Sequence, residues 1–467
     1  MRKLNKLLAL TLIIALSLTS VPVLTAQDYE HYDEMVFIQD FFEDETFVTA
    51  MEEHTIALFG YEFVQNHERA LEAIYVLYSI LPQDRLGQTM YPNSFGGIYI
   101  NNEGNLVALT VENGDTSLFA PLTGMYGVLT REVEFSYNEL WSTFEFLNEF
   151  DYNTRIENAF SWALCIAANR ILVTLYDYSD EQITVFRRDV LDSPILVFSE
   201  APEIIWESYQ PIESTMFRIE ATYEEIEPLS STIIARFGDR LLTNVRPTPC
   251  STGDFVTEAS IGYRATRSTS SGLTRGFVTV AHVFPNDTSN QHVYVDQFGR
   301  RVLLGVTVVS NFHAVDAAFI GINDIRHSLF TGPNLWNIVG ESVTLPDGLR
   351  VPIQSSHGNI IQGGTVHTIG SQSGLRTGTI NNVALTLDLH PTRYAPRQQS
   401  VRLTIVDISY NRASIPGDSG AIVFSRTTTN PQIRMYGVVG IHVGAAGTRG
   451  YAMSATTINS RLGIRLD

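Results

Sequence analysis

The spacing of apolar residues changes near the middle of the chain. In the first half, apolar residues recur at helical spacing and follow residues that cap helices. In the second half, short β-branched and apolar runs are separated by turns of Gly, Asn, Asp and Ser. A period near 3.6 indicates helices, whereas short runs between turns indicate strands. The pattern predicts an α+β region followed by an all-β region.

Two helices and a hairpin are predicted before residue 151. Asn66 can cap a helix that runs to Leu81, because the next residue is a proline and cannot continue it. Residues 96–111 have the pattern of two strands around a turn. Ser136 and Glu139 form a capping box, which predicts a helix to about residue 150.

A second unit is predicted over residues 160–198 and has the order β-β-α-β. Its helix begins at the capping pair Ser179 and Gln182 and ends near Leu191. Such an order predicts an antiparallel sheet with helices on one face. The hairpin and helix at 96–150 resemble a weaker copy of this unit.

The second half is predicted to contain many short strands, which is typical of sandwiches and barrels. The pattern weakens between about Glu203 and Pro249, which we interpret as a connector. The clearest strand patterns after it are Ala259–Arg264, Phe277–Val280, Val302–Val309, Ser342–Leu345 and Arg402–Ile408.

The first 26 residues have the pattern of a secretory signal peptide. Positive residues are followed by an apolar run from Leu7 to Leu18, and the small residue Ala26 follows. The run is short for a membrane span, although an uncleaved anchor is the alternative. We therefore expect a secreted, extracellular protein without a membrane attachment, with three parts: a signal peptide at 1–26, an acidic α+β region with connector at 27–250, and an all-β domain at 251–467.

Charge is distributed unevenly between these parts. Residues 27–250 contain 38 Asp and Glu and 11 Arg, whereas residues 251–467 contain 12 and 17. Opposite net charges suggest that the two parts attract each other, although an acidic surface also favours solubility. The second part has no clustered basic run, so nothing favours nucleic acid as a partner.

The chain has two cysteines, Cys165 and Cys250. Two cysteines exclude a disulfide scaffold. They can form one bridge or remain two small apolar side chains, and the second alternative is preferred.

Three short segments contain the residue types of nucleophilic acyl transfer. Gly417-Asp418-Ser419-Gly420 is a polar turn before an apolar strand, an apolar strand ends at Ala281-His282, and Asp316 precedes a third apolar run. A serine nucleophile, a histidine base and an aspartate that orients the base form a catalytic triad. Their order along the chain is that of chymotrypsin-type proteases. Asp296 and Asp324 are alternatives to Asp316, but neither begins so apolar a run.

On these residues, the second half resembles bacterial chymotrypsin-fold serine proteases of the streptogrisin and α-lytic protease branch. The segments that match the family pattern are residues 275–282, 370–380, 416–420, 439–444 and 451–453. The resemblance implies two packed six-stranded antiparallel β-barrels with the site between them. The first half shows a weaker resemblance to the pro-regions that assist folding of such proteases and then inhibit them. This resemblance is carried by residues 160–198.

The sequence departs from the family pattern at two places. Gly420-Ala421-Ile422 replaces the usual Gly-Gly-Pro-type continuation, and Val283 stands where a cysteine usually follows the histidine. Neither change removes a catalytic group. The missing bridge leaves the loop after the histidine to be held by packing.

The resemblance assigns the catalytic roles residue by residue. Ser419 is the expected nucleophile, His282 the base and Asp316 the residue that holds the imidazole. The backbone N–H groups of Gly417 and Ser419 are the expected oxyanion hole. Asp418 is expected to be structural.

The same resemblance assigns a substrate pocket to Ser414 and His442, and pairing with the substrate backbone to Val443, Gly444 and Ala445. The segment at 440–442 also resembles glutamyl endopeptidases, in which a pocket histidine binds an acidic side chain. A hydroxyl and an imidazole can both donate hydrogen bonds to a carboxylate. Cleavage after Glu, or Asp, is the first alternative; the second is a core histidine beside a pocket for apolar side chains.

The expected activity is therefore that of a serine endopeptidase, made as a proenzyme, which acts as a monomer on proteins or peptides. Its other expected partner is its own pro-region. No histidine spacing indicates a metal, and no cofactor is expected. The alternative is a catalytically silent binding protein whose first half covers the cleft.

Overall fold

The computed structural model describes residues 45–85, 89–201, 239–245, 255–270, 272–284, 291–297, 300–322, 342–344, 350–389, 401–427 and 436–466. The described residues from Met51 onward form one compact unit. The predicted signal peptide, Cys250, Asp324 and most of the predicted connector lie outside the described residues.

Seven helices occur in the described part of the chain. In order, α1 to α7 are Glu45–Phe59, Tyr61–Ile80, Ala120–Tyr126, Tyr137–Asn153, Asp180–Asp189, Phe312–Val315 and Ala455–Leu462.

The same described residues contain 22 strands. In order, β1 to β22 are Phe95–Ile100, Leu106–Val111, Leu129–Val133, Ala159–Cys165, Arg170–Leu175, Leu196–Glu200, Arg240–Val245, Phe255–Ser260, Arg264–Thr269, Gly272–Thr279, His292–Gln297, Arg300–Asn311, Ala317–Gly321, Ser342–Thr344, Arg350–His357, Thr365–Gly370, Gly374–Leu389, Val401–Tyr410, Ile422–Arg426, Tyr436–Ala446, Arg449–Ser454 and Ile464–Leu466.

The first half contains two units of the same order and pairing. In the first unit, β1 pairs antiparallel with β2, and β2 pairs parallel with β3 after helix α3. In the second, β4 pairs antiparallel with β5, and β5 pairs parallel with β6 after helix α5. The predicted internal copy therefore exists, but it uses the short helix α3 and strand β3 rather than helix α4.

Helix α4 packs over the second unit. Its N-cap is Ser136, with both hydrogen bonds of the predicted capping box to Glu139. The helix buries Leu140, Phe144 and Leu147 in one apolar cluster with Trp162 of β4. Burial of such large apolar side chains stabilises a fold by roughly 2–3 kcal/mol each, so this face holds the helix on the sheet.

The predicted start of the first long helix is wrong. Helix α2 begins at Tyr61 after Gly60, whose φ of 88° is in the left-handed region that glycine adopts without strain. Asn66 lies inside the helix and donates from Nδ2 to the carbonyl oxygen of Glu103 at 2.8 Å. Asn66, although of a type that often caps helices, thus contacts the hairpin turn instead.

Six strands of the second half close into a barrel. Around the ring, β16 pairs with β17, β17 with β18, β18 with β21, β21 with β20, β20 with β19 and β19 with β16. Its interior holds Val366, Ile380, Ile408 and Val423. Inward apolar residues from every strand fill a barrel of this size without leaving a channel.

The strands that precede the closed barrel in the second half form a half-barrel, as far as the described residues show. Its eight-stranded sheet has the order β22-β9-β10-β13-β12-β11-β7-β8. The half-barrel and the closed barrel, which follow an α+β region, confirm the predicted fold class. Strand β7 belongs to this sheet although it lies inside the predicted connector, because it pairs with β8 and β11.

The sheet of the first half continues into the closed barrel. Strand β17 pairs with β16 at its start and with β4 further on, so that Ala384–Leu387 face Leu164–Ser161. Arg402 crosses the same junction: it forms an ion pair with Asp151 and lies 5.2 Å from the ring centre of Trp162. Arg426 and Glu68 form a second ion pair, at 2.6 Å. Both pairs join an acidic residue of the first half to an arginine of the second.

Two other sequence expectations differ from the structure. The single predicted strand Ala259–Arg264 is two strands, β8 and β9, because the chain turns between them. We expected no helix in the second half, but helix α7 is present there. Its residues Ala455, Ile458 and Leu462 are buried at helical spacing.

Cys165 is half-buried, and its Sγ accepts a hydrogen bond from Nε2 of Gln362 at 3.4 Å. Among the residues described, no helix combines the length and the apolarity that a bilayer crossing requires.

Candidate active site

Asp316 lies where helix α6 ends and strand β13 begins. Its φ of 38° is left-handed, a conformation that costs most non-glycine residues about 1–2 kcal/mol. The residue is 2% exposed. Oδ1 accepts from the backbone N–H of Ala281 at 3.1 Å and of His282 at 2.9 Å. These two amides fix the carboxylate in its buried position.

His282 follows strand β10, and its ring faces that carboxylate. Nδ1 of His282 and Oδ2 of Asp316 are 2.7 Å apart. Burial alone would lower the pKa of His282, but the charge of Asp316 and its hydrogen bond outweigh this effect and raise the pKa. With Nδ1–H donated to Asp316, Nε2 is the ring atom that can accept a proton.

Ser419 lies on a tight turn before strand β19, which we call the serine turn (residues 416–420). The turn contains two left-handed glycines, Gly417 with φ 98° and Gly420 with φ 89°. A Cβ on Gly417 would come within 2.8 Å of Cγ of Gln372, and one on Gly420 would meet Oγ1 of Thr279. Both positions therefore need glycine for conformation and for space.

The serine turn is held against the first barrel by Ser260. The backbone N–H of Ser260 donates to the carbonyl oxygen of Ser419 at 2.7 Å, and its Oγ donates to that of Gly417 at 2.8 Å. Thr279, three residues before His282, also donates from Oγ1 to the Ser260 carbonyl oxygen at 2.9 Å. Ser260 thus connects the strand that precedes the histidine with the turn that holds the serine.

Among the described contacts, no hydrogen bond joins Oγ of Ser419 to His282. Such bonds are often long in structures without substrate and shorten in the reacting complex. The structure therefore brings His282 and Asp316 into direct contact and joins Ser419 to their barrel through Ser260. Of the rival aspartates, Asp296 lies on β11 and Asp324 is outside the described residues.

Two backbone N–H groups of the serine turn, those of Gly417 and Ser419, donate to no acceptor within the described part of the chain. Unpartnered buried amides are rare in folded proteins. Two of them beside a candidate nucleophile form an arrangement that can stabilise an oxyanion.

Asp418 is fully buried and anchors the serine turn. Its Oδ1 accepts from the N–H of Ser373 at 3.0 Å, and its Oδ2 accepts from the N–H of Ile415 at 2.9 Å and from Oγ of Ser414 at 3.2 Å. Burial alone would raise the pKa of Asp418, but the hydrogen bonds from Ile415 and Ser373, and then the charge of Arg376, outweigh this effect and lower the pKa. The carboxylate is charged and acts as a structural anchor in this geometry.

The expected pocket residues lie next to this anchor. Nε2 of His442 is 3.0 Å from Oγ of Ser414, and His442 is 1% exposed. Burial, and then the charge of Arg376, lower the pKa of His442 to about 3. The imidazole is therefore neutral at ordinary pH and can donate one hydrogen bond.

The residues that are expected to pair with the substrate backbone follow His442 on strand β20. Val443 is buried, whereas Gly444 and Ala445 are half-buried, and the pairing with β21 is irregular between His442 and Gly444. Such a bulge redirects the strand at the position where a substrate backbone is expected to pair.

Sequence reasoning missed two residues of this site. Ser260 links the barrels, but a serine at a strand end has no distinctive pattern. Arg376 is buried on β17 beside Asp418. It lies in the family-like segment 370–380, but nothing in that segment marked the arginine itself as part of the site. Within the described residues, no three His, Cys, Asp or Glu side chains are grouped so that they could hold a metal ion.

A family model described as the Pro-like C-terminal domain matches residues 138–201, which comprise α4 and the second β-β-α-β unit. No curated protein matches the chain.

Solved structures of bacterial proteases align with half of the chain. Thermobifida fusca protease A is 18% identical over 50% of this chain and 98% of its own, with a TM-score of 0.33. Nocardiopsis protease is 22% identical over 50% of this chain and 99% of its own, with a TM-score of 0.33. A serine protease described as specific for glutamic acid and as using a histidine triad in substrate binding is 18% identical over 50% of this chain and 100% of its own, with a TM-score of 0.34.

Proposed function

We propose that this protein is a secreted serine endopeptidase, made as a proenzyme, with Ser419, His282 and Asp316 as its catalytic triad. The observation that supports this most is the 2.7 Å contact between His282 and a buried aspartate that is held by two backbone amides. An imidazole held in this way presents Nε2 as a base.

The reaction begins when Oγ of Ser419 attacks the carbonyl carbon of the peptide bond. His282 takes the hydroxyl proton at Nε2 and gives it to the leaving amine, which leaves an acyl ester on Ser419. Water then attacks the ester with the same base, and the acid product and the free serine are restored. The N–H groups of Gly417 and Ser419 stabilise the oxyanion, typically by about 3 kcal/mol per donor.

The proposed specificity is for Glu, or Asp, before the cleaved bond. Support comes from the pairing of Ser414 with His442 at 3.0 Å, which places a hydroxyl and a neutral imidazole side by side. Each group has one donor hydrogen at neutral pH, and Ser414 would turn its O–H from Asp418 toward the substrate carboxylate. Val443, Gly444 and Ala445 are proposed to pair with the substrate backbone.

The first half is proposed to act as the pro-region. Support comes from the pairing of β4 with β17 and from the ion pairs of Arg402 with Asp151 and of Arg426 with Glu68. Secretion is proposed from the apolar segment that ends before Ala26.

The proposal is tested with the chain expressed from Gln27, its Ser419→Ala variant and a matched Ser79→Ala control. Ser79 is an exposed serine on helix α2. We expect the parent and the control to mature and to cleave peptides with Glu before the bond, and Ser419→Ala to remain uncleaved and inactive. Cleavage by Ser419→Ala at the parent rate would contradict the assignment of Ser419 as the nucleophile. Equal rates for Glu, Leu and Phe peptides would contradict only the acidic pocket.

A further inference from the structure

An arginine is buried directly behind the pocket. Arg376 is 0% exposed, and its Cζ lies 4.6 Å from the ring centre of Tyr410. Its Nη2 is 3.8 Å from Oδ2 of Asp418, beyond hydrogen-bond distance. None of Nε, Nη1 and Nη2 has a hydrogen-bond partner among the described residues. A buried charge with so few partners is costly to the fold, which indicates a use beyond packing.

The neighbour of this arginine is a carboxylate that faces the pocket. Oδ2 of Asp418 accepts from Oγ of Ser414, which in turn lies 3.0 Å from His442. A substrate carboxylate bound by Ser414 and His442 would therefore lie next to a second negative charge. Two carboxylates in one buried site repel each other strongly, because little water screens them.

Arg376 is the group that can remove this repulsion. It is the buried cation next to Asp418, whereas Arg412, the other arginine nearby, is exposed and donates from Nη2 to the carbonyl oxygen of Leu375. An exposed charge is screened by solvent, and its effect inside the pocket is small.

The ring of Tyr410 joins the arginine to the imidazole. Tyr410 lies beneath the guanidinium of Arg376 and makes an edge contact with His442, with ring centres 6.1 Å apart. A Cβ on Gly450 would meet both rings, so Tyr410 and His442 are closely packed. The position of the charge behind the pocket is thus fixed.

We propose that Arg376 is a specificity-determining positioning residue: it cancels the charge of Asp418 and so lets the pocket accept an acidic side chain. The inference rests on the proposed function of Ser414 and His442. Arg376 touches neither substrate nor the reacting atoms, and acts through Asp418. A purely structural arginine would instead support the serine turn equally for every substrate.

The test is the ratio of kcat/KM for matched peptides with Glu or Gln before the bond, measured on matured enzyme and normalised to titrated active sites. Glu and Gln have the same shape and differ in charge, so the ratio isolates the electrostatic effect. Arg376→Met and Arg376→Gln remove the charge, Arg376→Lys keeps it, and Arg412→Met is the matched exposed control.

In the neutral variants we expect the Glu/Gln ratio to fall roughly 30-fold, the size expected for one uncompensated charge in a partly buried site. The Gln rate itself is expected to change less than about threefold. Arg412→Met and Arg376→Lys are expected to keep the ratio within about threefold. A neutral variant that loses activity on both peptides alike would overturn the inference.

If neither neutral variant yields titratable enzyme, Arg376→Lys decides. Retention of the Glu preference supports a role of the charge, because lysine lacks the planar guanidinium, and a tenfold loss of the ratio overturns it. A parent enzyme that cleaves Gln and Glu peptides equally overturns this inference together with the acidic pocket, and leaves the proposed triad intact. A parent enzyme that cleaves neither contradicts the proposed function itself.

Discussion

His67 should make the stability of the protein depend strongly on acid. It lies on helix α2 and is buried, and its Nε2 accepts a hydrogen bond from the backbone N–H of Thr365 of the closed barrel at 3.3 Å. Burial, and then the charge of Arg426, lower its pKa to about 3. Protonation at Nε2 would oppose the amide that now donates to it.

The magnitude follows from the difference between the folded and unfolded pKa. The unfolded histidine, with a pKa of about 6.5, takes up a proton as the pH falls, whereas the folded one stays neutral until about pH 3. Stability is therefore complete above pH 6.5 and decreases as the pH falls toward 3. Between pH 7 and pH 4, His67 should lower the free energy of unfolding by about 3 kcal/mol.

The assay is urea unfolding of the full chain from Gln27 in the Ser419→Ala background, which prevents self-cleavage, at pH 7 and pH 4. His67→Gln keeps an acceptor for Thr365 but cannot be protonated. It should lose about 3 kcal/mol less than its parent between the two pH values. His313→Gln, an exposed histidine of the first barrel, should behave as its parent does. An equal loss in His67→Gln and its parent would refute the reasoning.

Three further predictions concern the site. Asp316→Asn should lower kcat by about 10³–10⁴-fold with little change in KM, because the amide no longer holds the base in its tautomer; steady-state kinetics measures this. Activity should be lost as the pH falls through a value above 6.5, since Asp316 raises the pKa of His282 and only the neutral ring is a base; a pH profile with its midpoint below 6 would contradict this. Gly420→Ala should abolish activity and destabilise by more than about 2 kcal/mol, because φ is 89° and the methyl group would meet Thr279, whereas Gly447→Ala, with open space at φ 61°, should cost about 1 kcal/mol in thermal unfolding.

Local patterns predicted the elements whose signals are local. The predicted caps Ser136 and Ser179 both begin helices in the structure because a cap needs only the first turn, although the full capping box forms only at Ser136 and Ser179 keeps the single bond from the N–H of Gln182. The cap predicted at Asn66 is wrong because a local pattern cannot show distant contacts. Asn66 lies inside the helix, where it donates to Glu103, 37 residues away. The short helix α3 was missed, and so the internal copy was assigned to the wrong helix.

Long-range pairing could not be predicted from the same patterns. The contact of β4 with β17 joins residues more than 200 positions apart, and the alternation of each strand is compatible with many partners. Asp316 and His282 were predicted as a pair by residue type and order, and the distance between them follows from the pairing of β10 with β13. Arg376 was not predicted, because a single arginine in a strand more often points to solvent.

The most direct test of the proposed triad is the intact mass of the matured parent, and of the uncleaved variant chains, after incubation with a fluorophosphonate, which reacts with activated serines. The account predicts one phosphonyl group on the parent, located at Ser419 by fragmentation, and none on Ser419→Ala or Asp316→Asn over the same short time. A parent chain that remains unlabelled, or a label that persists on Ser419→Ala, would contradict it.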